Sequence, residues 1–207
     1  MAARSTSLVV RRRNAAATRE AILASARRAF VQSGYDGAGV REIAQGAGVT
    51  AMLVNRYFGS KENLFAEVIA QTMATPVILT PEILGSPRPG EAIAKALVEL
   101  TRSGATPLDG FLIMHRSGSS RRAAEIGREQ IEKHHLKTMT AALRGELAPQ
   151  RAALVLSLVA GLQVVRQMIG LSALAKAKPA DLVRVLAPLF QQLIDGVEED
   201  RALPASS

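Results

Sequence analysis

Asn55, Arg56 and Tyr57 stand in a row between Val54 and Phe58. A planar amide, a guanidinium and a phenol thus interrupt an apolar spacing. Val54 and Phe58 are four residues apart and share one face of a helix, which turns the polar row outward. Their donors and acceptors suit recognition by hydrogen bonds. Candidates for turnover are thin by comparison. The histidines are His115, His134 and His135. Successive helical residues point about 100° apart, so the adjacent pair does not chelate as an i, i+4 pair would. Glu132 and His135 form one Glu-x-x-His, whereas a di-metal helical bundle needs two such motifs and further inward carboxylates. The sequence has no Gly-rich phosphate loop, no nucleophile elbow and no cysteine. Disulfide, thiol and zinc-finger chemistry are thereby removed, and a reducing compartment is compatible. No catalytic residue, metal ligand set or cofactor is assigned.

The elements that position this row are helices. Of 207 residues 48% are apolar and only 3% aromatic, so the core is built mainly from Leu, Val, Ile and Ala. Net charge is +8, and its placement is uneven. Up to Lys61 there are ten basic residues against three acids, or +7, and the rest of the chain carries +1. That is either a solvated charged tail or a module for a polyanion. The longest apolar run, near Leu154–Leu162, is too short to span a bilayer. The "SLVV" before three arginines is too short for a secretory signal. A cytoplasmic protein without membrane contact is expected.

Residues 1–17 are small, polar and basic without periodicity, and are expected to form a flexible basic arm. Thr18 is a plausible N-cap; Ile22, Leu23, Ala26 and Phe30 then follow at helical spacing, and Gly34 supplies a stop. Val40, Ile43, Ala44 and Ala47 mark a short second helix closed by Gly48. Thr50 caps a third, with Val49 and Val54 placed as a hydrophobic staple. Gly59 ends it, and Ser60 caps a fourth helix running to about Met73. Two short helices joined by a tight Gly turn and braced by a preceding helix make a helix-turn-helix; a generic three-helix subdomain is the bland alternative. Thr75–Gly90 reads as a connector. Helices follow over about Glu91–Arg102, Leu108–His115, Arg121–Arg144, Gln150–Leu171 and Ala180–Val197. "AALVLSLVAGLQVV" is apolar nearly all round, so it belongs in an interior or an interface. Leu182, Leu186, Leu189, Leu193 and Val197 form a stripe in which Pro188 is expected to kink or break the helix. The fold class is all-α: a helix-turn-helix domain over 18–66 and a larger helical domain over 67–207.

The stretch "TREAILASARRAFVQSGYDGAGVREIAQGAGVTAMLVNRYFGSKENLF" resembles the N-terminal DNA-binding domain of the tetracycline-repressor (TetR) family. Ile-Ala-x-x-Ala-Gly-Val followed by Tyr-Phe-x-x-Lys-x-x-Leu is the family's hallmark spacing. The helical remainder is similar to the family's ligand-binding and dimerisation domain by layout. Two positions depart from the pattern. The family usually has Thr or Ser near Gly39, so the cap of the second helix is expected to be weak. It often carries aromatic residues where Asn55 and Arg56 stand, which bears on operator sequence and not on fold.

The resemblance implies that the third helix enters a major groove of a double-stranded DNA operator. Asn pairs two ways with adenine and Arg with guanine, so Asn55 and Arg56 are the expected specificity residues. Ala51 and Met52, on or near the same face, can touch a thymine methyl. Tyr57 and Thr50 are expected on phosphate, as are Lys61, which resembles the family's lysine, and Arg41. Arg56 as a solvated side chain and Tyr57 packed on the first helix are the plain alternatives. The arm's Arg11, Arg12 and Arg13 either track a minor groove or add only nonspecific affinity.

The expected function is that of a transcriptional regulator, a repressor that binds a palindromic operator as a homodimer and is released by a small-molecule effector. An architectural or activating DNA binder without a ligand, and an all-helical enzyme, are the alternatives. About 130 residues beyond the basic domain argue for sensing and dimerisation. Phe111, Met114, His115, Met139 and Met168 are the candidate lining of the effector pocket, although Met and Phe at helical spacing also serve as ordinary core.

Overall fold

A computed structural model describes residues 2–74, 76–102, 104–106 and 108–196, with the backbone alone over 2–13. Among the described residues every regular element is helical. In order these are α1 (Ala2–Gly37), α2 (Val40–Gly46), α3 (Ala51–Phe58), α4 (Lys61–Met73), α5 (Pro81–Leu84), α6 (Pro89–Leu100), α7 (Asp109–Arg116) and α8 (Arg121–Ile131). A π-helical turn (Glu132–Leu136) leads into α9 (Lys137–Ala142). Then come α10 (Ala148–Leu162), a second π-helical turn (Gln163–Met168), α11 (Ser172–Ala175) and α12 (Pro179–Asp195).

The chain divides into two compact units. One joins the residues up to Ala74 with Leu108–Gln130; the other holds the rest. A boundary at 66/67 therefore places α7 and α8 in the wrong group. Their partners lie some eighty residues earlier, beyond the reach of local pattern.

In the first unit α1 begins at Ala2, so the expected irregular arm is helical over 2–17. No Gly or Pro occurs before Gly34, and Ala, Arg and Leu favour helix. Thr18 is inside this helix, and its hydroxyl donates to the Asn14 carbonyl at 2.8 Å in place of capping. The expected stop at Gly34 holds: φ is +66° and ψ −174°, a break in the helix. A Cβ there would lie 2.6 Å from the Arg116 carbonyl oxygen of α7. Tyr35 then turns into the core, its ring edge-on to Phe65 at 4.9 Å, while Phe65 meets Phe30 at 5.0 Å. Ile22, Leu23, Ala26, Ile43, Val54, Leu64 and Ile69 fill the remainder.

In the second unit α6 packs along α12, and Gly90 makes the close approach possible: a Cβ would come 2.5 Å from the Gln191 amide. Ile93, Leu97, Met139, Leu143, Val155, Leu162 and Phe190 form its core. The stretch Ala148–Met168 is 21 residues long with a hydropathy of 1.4, so by length and composition it could cross a bilayer. Counting only the unbroken apolar run understated it, because the helix continues past Arg151 and Arg166. α12 runs unbroken through Pro188, which is exposed, so the carbonyl deprived of its partner can face water. In the stripe Leu182 is buried, Leu186 and Leu193 are half-buried and Leu189 is exposed; Val197 lies outside the described residues.

Gly34→Ala and Gly48→Ala separate backbone strain from steric clash. Gly48 has φ +68° and nothing within 4 Å of an added Cβ, so only the left-handed conformation matters there, about 1–2 kcal/mol. Gly34→Ala adds a backbone clash and is expected to lose more, about 3 kcal/mol or above. Urea denaturation of the two variants checks the order.

Candidate nucleic-acid interface

α2 and α3 are too short to be stable alone and are held by their ends and buried faces. Gly39 offers no side chain to cap α2; the Glu42 carboxylate instead accepts the Gly39 amide at 3.4 Å, leaving the weak start expected from sequence. Ser25, a buried α1 residue that the sequence did not single out, donates to the Ile43 carbonyl at 2.8 Å and ties α2 to α1. In the turn, the amides of Gly48 and Val49 donate to the Gln45 and Ala44 carbonyls at 3.0 and 2.9 Å. Thr50 caps α3 by accepting the Leu53 amide at 3.3 Å, and Ser60 caps α4 by accepting the Asn63 amide at 3.2 Å.

Val54 and Phe58 are buried, as their spacing requires, and the guanidinium of Arg19 lies 5.0 Å over the Phe58 ring. α3 therefore presents the opposite side. Met52 is 79% exposed, Asn55 and Arg56 are exposed, and Ala51 is half-buried. Tyr57 is half-buried, with its ring tilted against Phe58 at 6.4 Å. The Thr50 hydroxyl oxygen is engaged as a cap, which leaves its proton for an outside acceptor. Arg41 is exposed at the start of α2. Lys61 places its ammonium 4.6 Å over the Tyr35 ring, so this cation is positioned by an aromatic face.

Tyr35 donates through Oη to Glu62 at 2.9 Å. Burial and then this bond push its pKa up to about 12. Its contribution to stability is complete below the ordinary value of 10.0 and is lost as pH rises through about 12. Glu62 is held below the usual carboxylate range, first by its own backbone amide, then by Ser60 and Tyr35. These two residues, and the ion pairs Arg19–Glu67 and Arg27–Asp109 (2.6 Å for the latter), escaped the sequence reading. The pairs matter for charge: among the described residues Arg41, Arg56 and Lys61 have no carboxylate within ion-pair distance, whereas Arg19 and Arg27 do.

The candidate effector residues divide between the units. On α7, Phe111 stacks on His115 at 6.1 Å, and the Met114 methyl abuts Gly127. In the other unit Met139 is 1% exposed in the core, and Met168 is half-buried. Neither unit gathers the five into one lining. A groove of about 400 Å³ between α6 and α12 is lined by Arg88, Glu91, Val183, Arg184, Ala187 and Pro188 among others, and by neither Met139 nor Met168. His135 has its pKa lowered, by burial and then by His134. No group of three or more His, Cys, Asp or Glu among the described residues could hold a metal ion.

Residues 22–68 match the family described as bacterial regulatory proteins, tetR family. Residues 88–194 match the tetracyclin repressor-like C-terminal domain. A 57-residue stretch is 39% identical to the HTH-type transcriptional repressor AcnR of Corynebacterium glutamicum, covering 28% of this chain and 30% of that protein. Among solved structures, a transcriptional regulator from Rhodococcus sp. Rha1 is 25% identical, with a TM-score of 0.59 over 87% of this chain and 99% of that one. A TetR-family regulator from Streptomyces coelicolor is 24% identical, with a TM-score of 0.55 over 86% and 95%. NalD, the secondary repressor of the MexAB-OprM multidrug efflux pump in Pseudomonas aeruginosa, is 24% identical, with a TM-score of 0.56 over 86% and 96%.

If Asn55 and Arg56 read bases, alanine at either is expected to cost about 1–3 kcal/mol on enriched DNA and little on random duplex. Removing residues 1–13 deletes four arginines; it is expected to weaken all duplexes alike and to flatten the salt slope by roughly 0.9 for each phosphate no longer neutralised. Salt titrations of wild type and the three variants on both duplexes check this. Equal losses on both duplexes for the point variants would assign the row to backbone.

Proposed function

Because the chain belongs to the TetR family of bacterial regulatory proteins, we propose that it is a cytoplasmic repressor that binds a palindromic operator as a homodimer and is released by a small molecule. The observation that carries the reading is α3. Buried Val54 and Phe58 fix an eight-residue helix whose free side holds Met52, Asn55 and Arg56, within a segment of net charge +7 up to Lys61. Asn55 and Arg56 read base edges, Ala51 and Met52 meet thymine methyls, and Thr50, Tyr57, Arg41 and Lys61 hold phosphate. Its role is regulation and not turnover.

The dimer forms through α10 and α12. Leu154 on α10 is 53% exposed, and Val185 and Leu189 on α12 are 60% and 44% exposed. Ala153, Ser157 and Gly161 share the exposed side of α10 with Leu154. Small residues permit close helix approach, and one self-complementary patch gives a two-fold pair. Arg151 and Arg166 lie within the same apolar stretch but are buried and bonded to backbone carbonyls. The apolar surface between them thus suits a second protein chain better than lipid.

Sequencing of DNA recovered with the protein from cells tests the function. The expected result is enrichment of a palindrome with half-sites about one helical turn apart or a multiple of it; uniform coverage would refute sequence-specific regulation. Val185→Glu with Leu189→Glu tests the dimer. Light scattering is expected to report a dimer for wild type and a folded monomer for the variant, with operator affinity lost along with the second half-site. A monomeric wild type at micromolar concentration would overturn the interface.

A further inference from the structure

Two arginines are buried in the second unit, and they are satisfied to different degrees. Arg151 is 3% exposed. Its Nε donates to the Glu146 carbonyl at 2.9 Å, its Nη1 to the Leu193 and Ile194 carbonyls at 3.1 Å, and its Nη2 to the Arg144 carbonyl. All three nitrogens are engaged, as a purely structural arginine requires. Arg166, on the second π-helical turn, is 5% exposed. Nη1 donates to the Val98 carbonyl and to Thr101 Oγ1, both at 2.7 Å, and Nε to the Leu174 carbonyl at 3.2 Å. Among the described residues Nη2 meets no acceptor, and no carboxylate lies within ion-pair distance. Burial lowers the pKa of this guanidinium, yet the group stays charged in proteins.

The neighbouring amides on the same turn are unfinished too. Gln163 is 4% exposed and donates weakly to the Val159 carbonyl at 3.5 Å, while its Oε1 is buried without a donor. Gln167 donates to the Ala105 carbonyl at 2.8 Å, and its Oε1 is equally unpartnered. Arg166 and Gln167 both reach the C-terminal end of α6 and the segment after it. A buried cation without an anion and buried acceptors without donors are each costly, and native chains seldom keep them on one turn without use. π-Helical insertions in helices frequently fall at functional sites.

We propose that Gln163, Arg166 and Gln167 form the recognition site for the effector, and that this effector is a hydroxy acid. Its carboxylate pairs with Arg166 Nη2, and its hydroxyl donates to a free glutamine oxygen. The assignment rests on the reading that this unit binds a small molecule, and it names the chemistry of that molecule.

Glycolate is the smallest probe with both groups, and glycolamide is its neutral counterpart. At matched ionic strength and saturating probe, glycolate is expected to raise the melting temperature of the full-length protein by about 2–4 °C over glycolamide. Arg166→Met is expected to abolish the increment and Gln163→Leu to reduce it. Equal melting temperatures with the two probes in wild type would overturn the site, as would an increment that survives Arg166→Met. Should that variant fail to fold, an undiminished increment in Gln163→Leu overturns it instead. Fluorescence anisotropy on enriched DNA keeps the two readings apart. Stabilisation by glycolate without any change in DNA affinity leaves the anion site standing and removes its role as effector site.

Discussion

The first unit depends on one left-handed residue. Gly34 turns the chain out of α1 so that Tyr35 reverses into the core, where three elements converge on it. Its ring packs against Phe65 of α4 and lies near Phe30 of α1. Its hydroxyl holds Glu62, and its amide donates to Ser117 Oγ at 2.9 Å just beyond α7. The carbonyls of Val31 and Gln32, left open by the break, accept Arg116 Nη1. A single backbone conformation thereby closes one helix, seats an aromatic side chain and brings in α7. Any side chain at position 34 opposes all three, since the space is filled by a carbonyl that cannot rotate away.

The same arrangement explains how an eight-residue helix can present polar groups reliably. Isolated helices of that length are marginal in water. α3 instead takes its position from Val54 and Phe58, from the caps at Thr50 and Ser60, and from Arg19 over the Phe58 ring. Arg19 is also paired with Glu67, which prevents that arginine from serving as a free charge at the surface. Net charge alone overstates what a polyanion would meet, because some of the cations are spent inside the unit. Lys61 differs: an aromatic face positions its ammonium but does not neutralise it.

Much of this was legible in sequence because it is local. The apolar spacing at Ile43, Ala44, Val54 and Phe58 gave two short helices, and glycine and hydroxyl residues at 34, 48, 50 and 60 punctuated them where the backbone indeed turns or caps. The missing cap at Gly39 was visible for the same reason. Thr18 misled, because a good cap residue can instead bond back to the turn before it when helix formers continue upstream. The grouping of α7 with α1 was illegible: Arg27–Asp109, Ser120–Asp36 and Tyr35–Ser117 each join residues more than eighty apart. The methionines and Phe111 misled for another reason. Their type announces burial without saying in which unit, and Met139 is simply core.

In the second unit aromatic residues are scarce, with Phe190 alone in the buried cluster, and buried arginines take over part of the work of fixing helices. Arg151 at the start of α10 gathers the last carbonyls of α12, groups that a helix end cannot satisfy itself. A Cβ on Gly196 would come 3.2 Å from this guanidinium, so glycine keeps the approach open. The result is that α10 and α12 are pinned end to end by a charge-assisted cap, and their exposed Leu154, Val185 and Leu189 belong to elements held in one register. An apolar surface carried by pinned helices loses little conformational freedom when a partner covers it, and this favours a defined association over loose adhesion. Arg166 uses the same carbonyl-seeking chemistry at the other end of the stretch, but stops one nitrogen short.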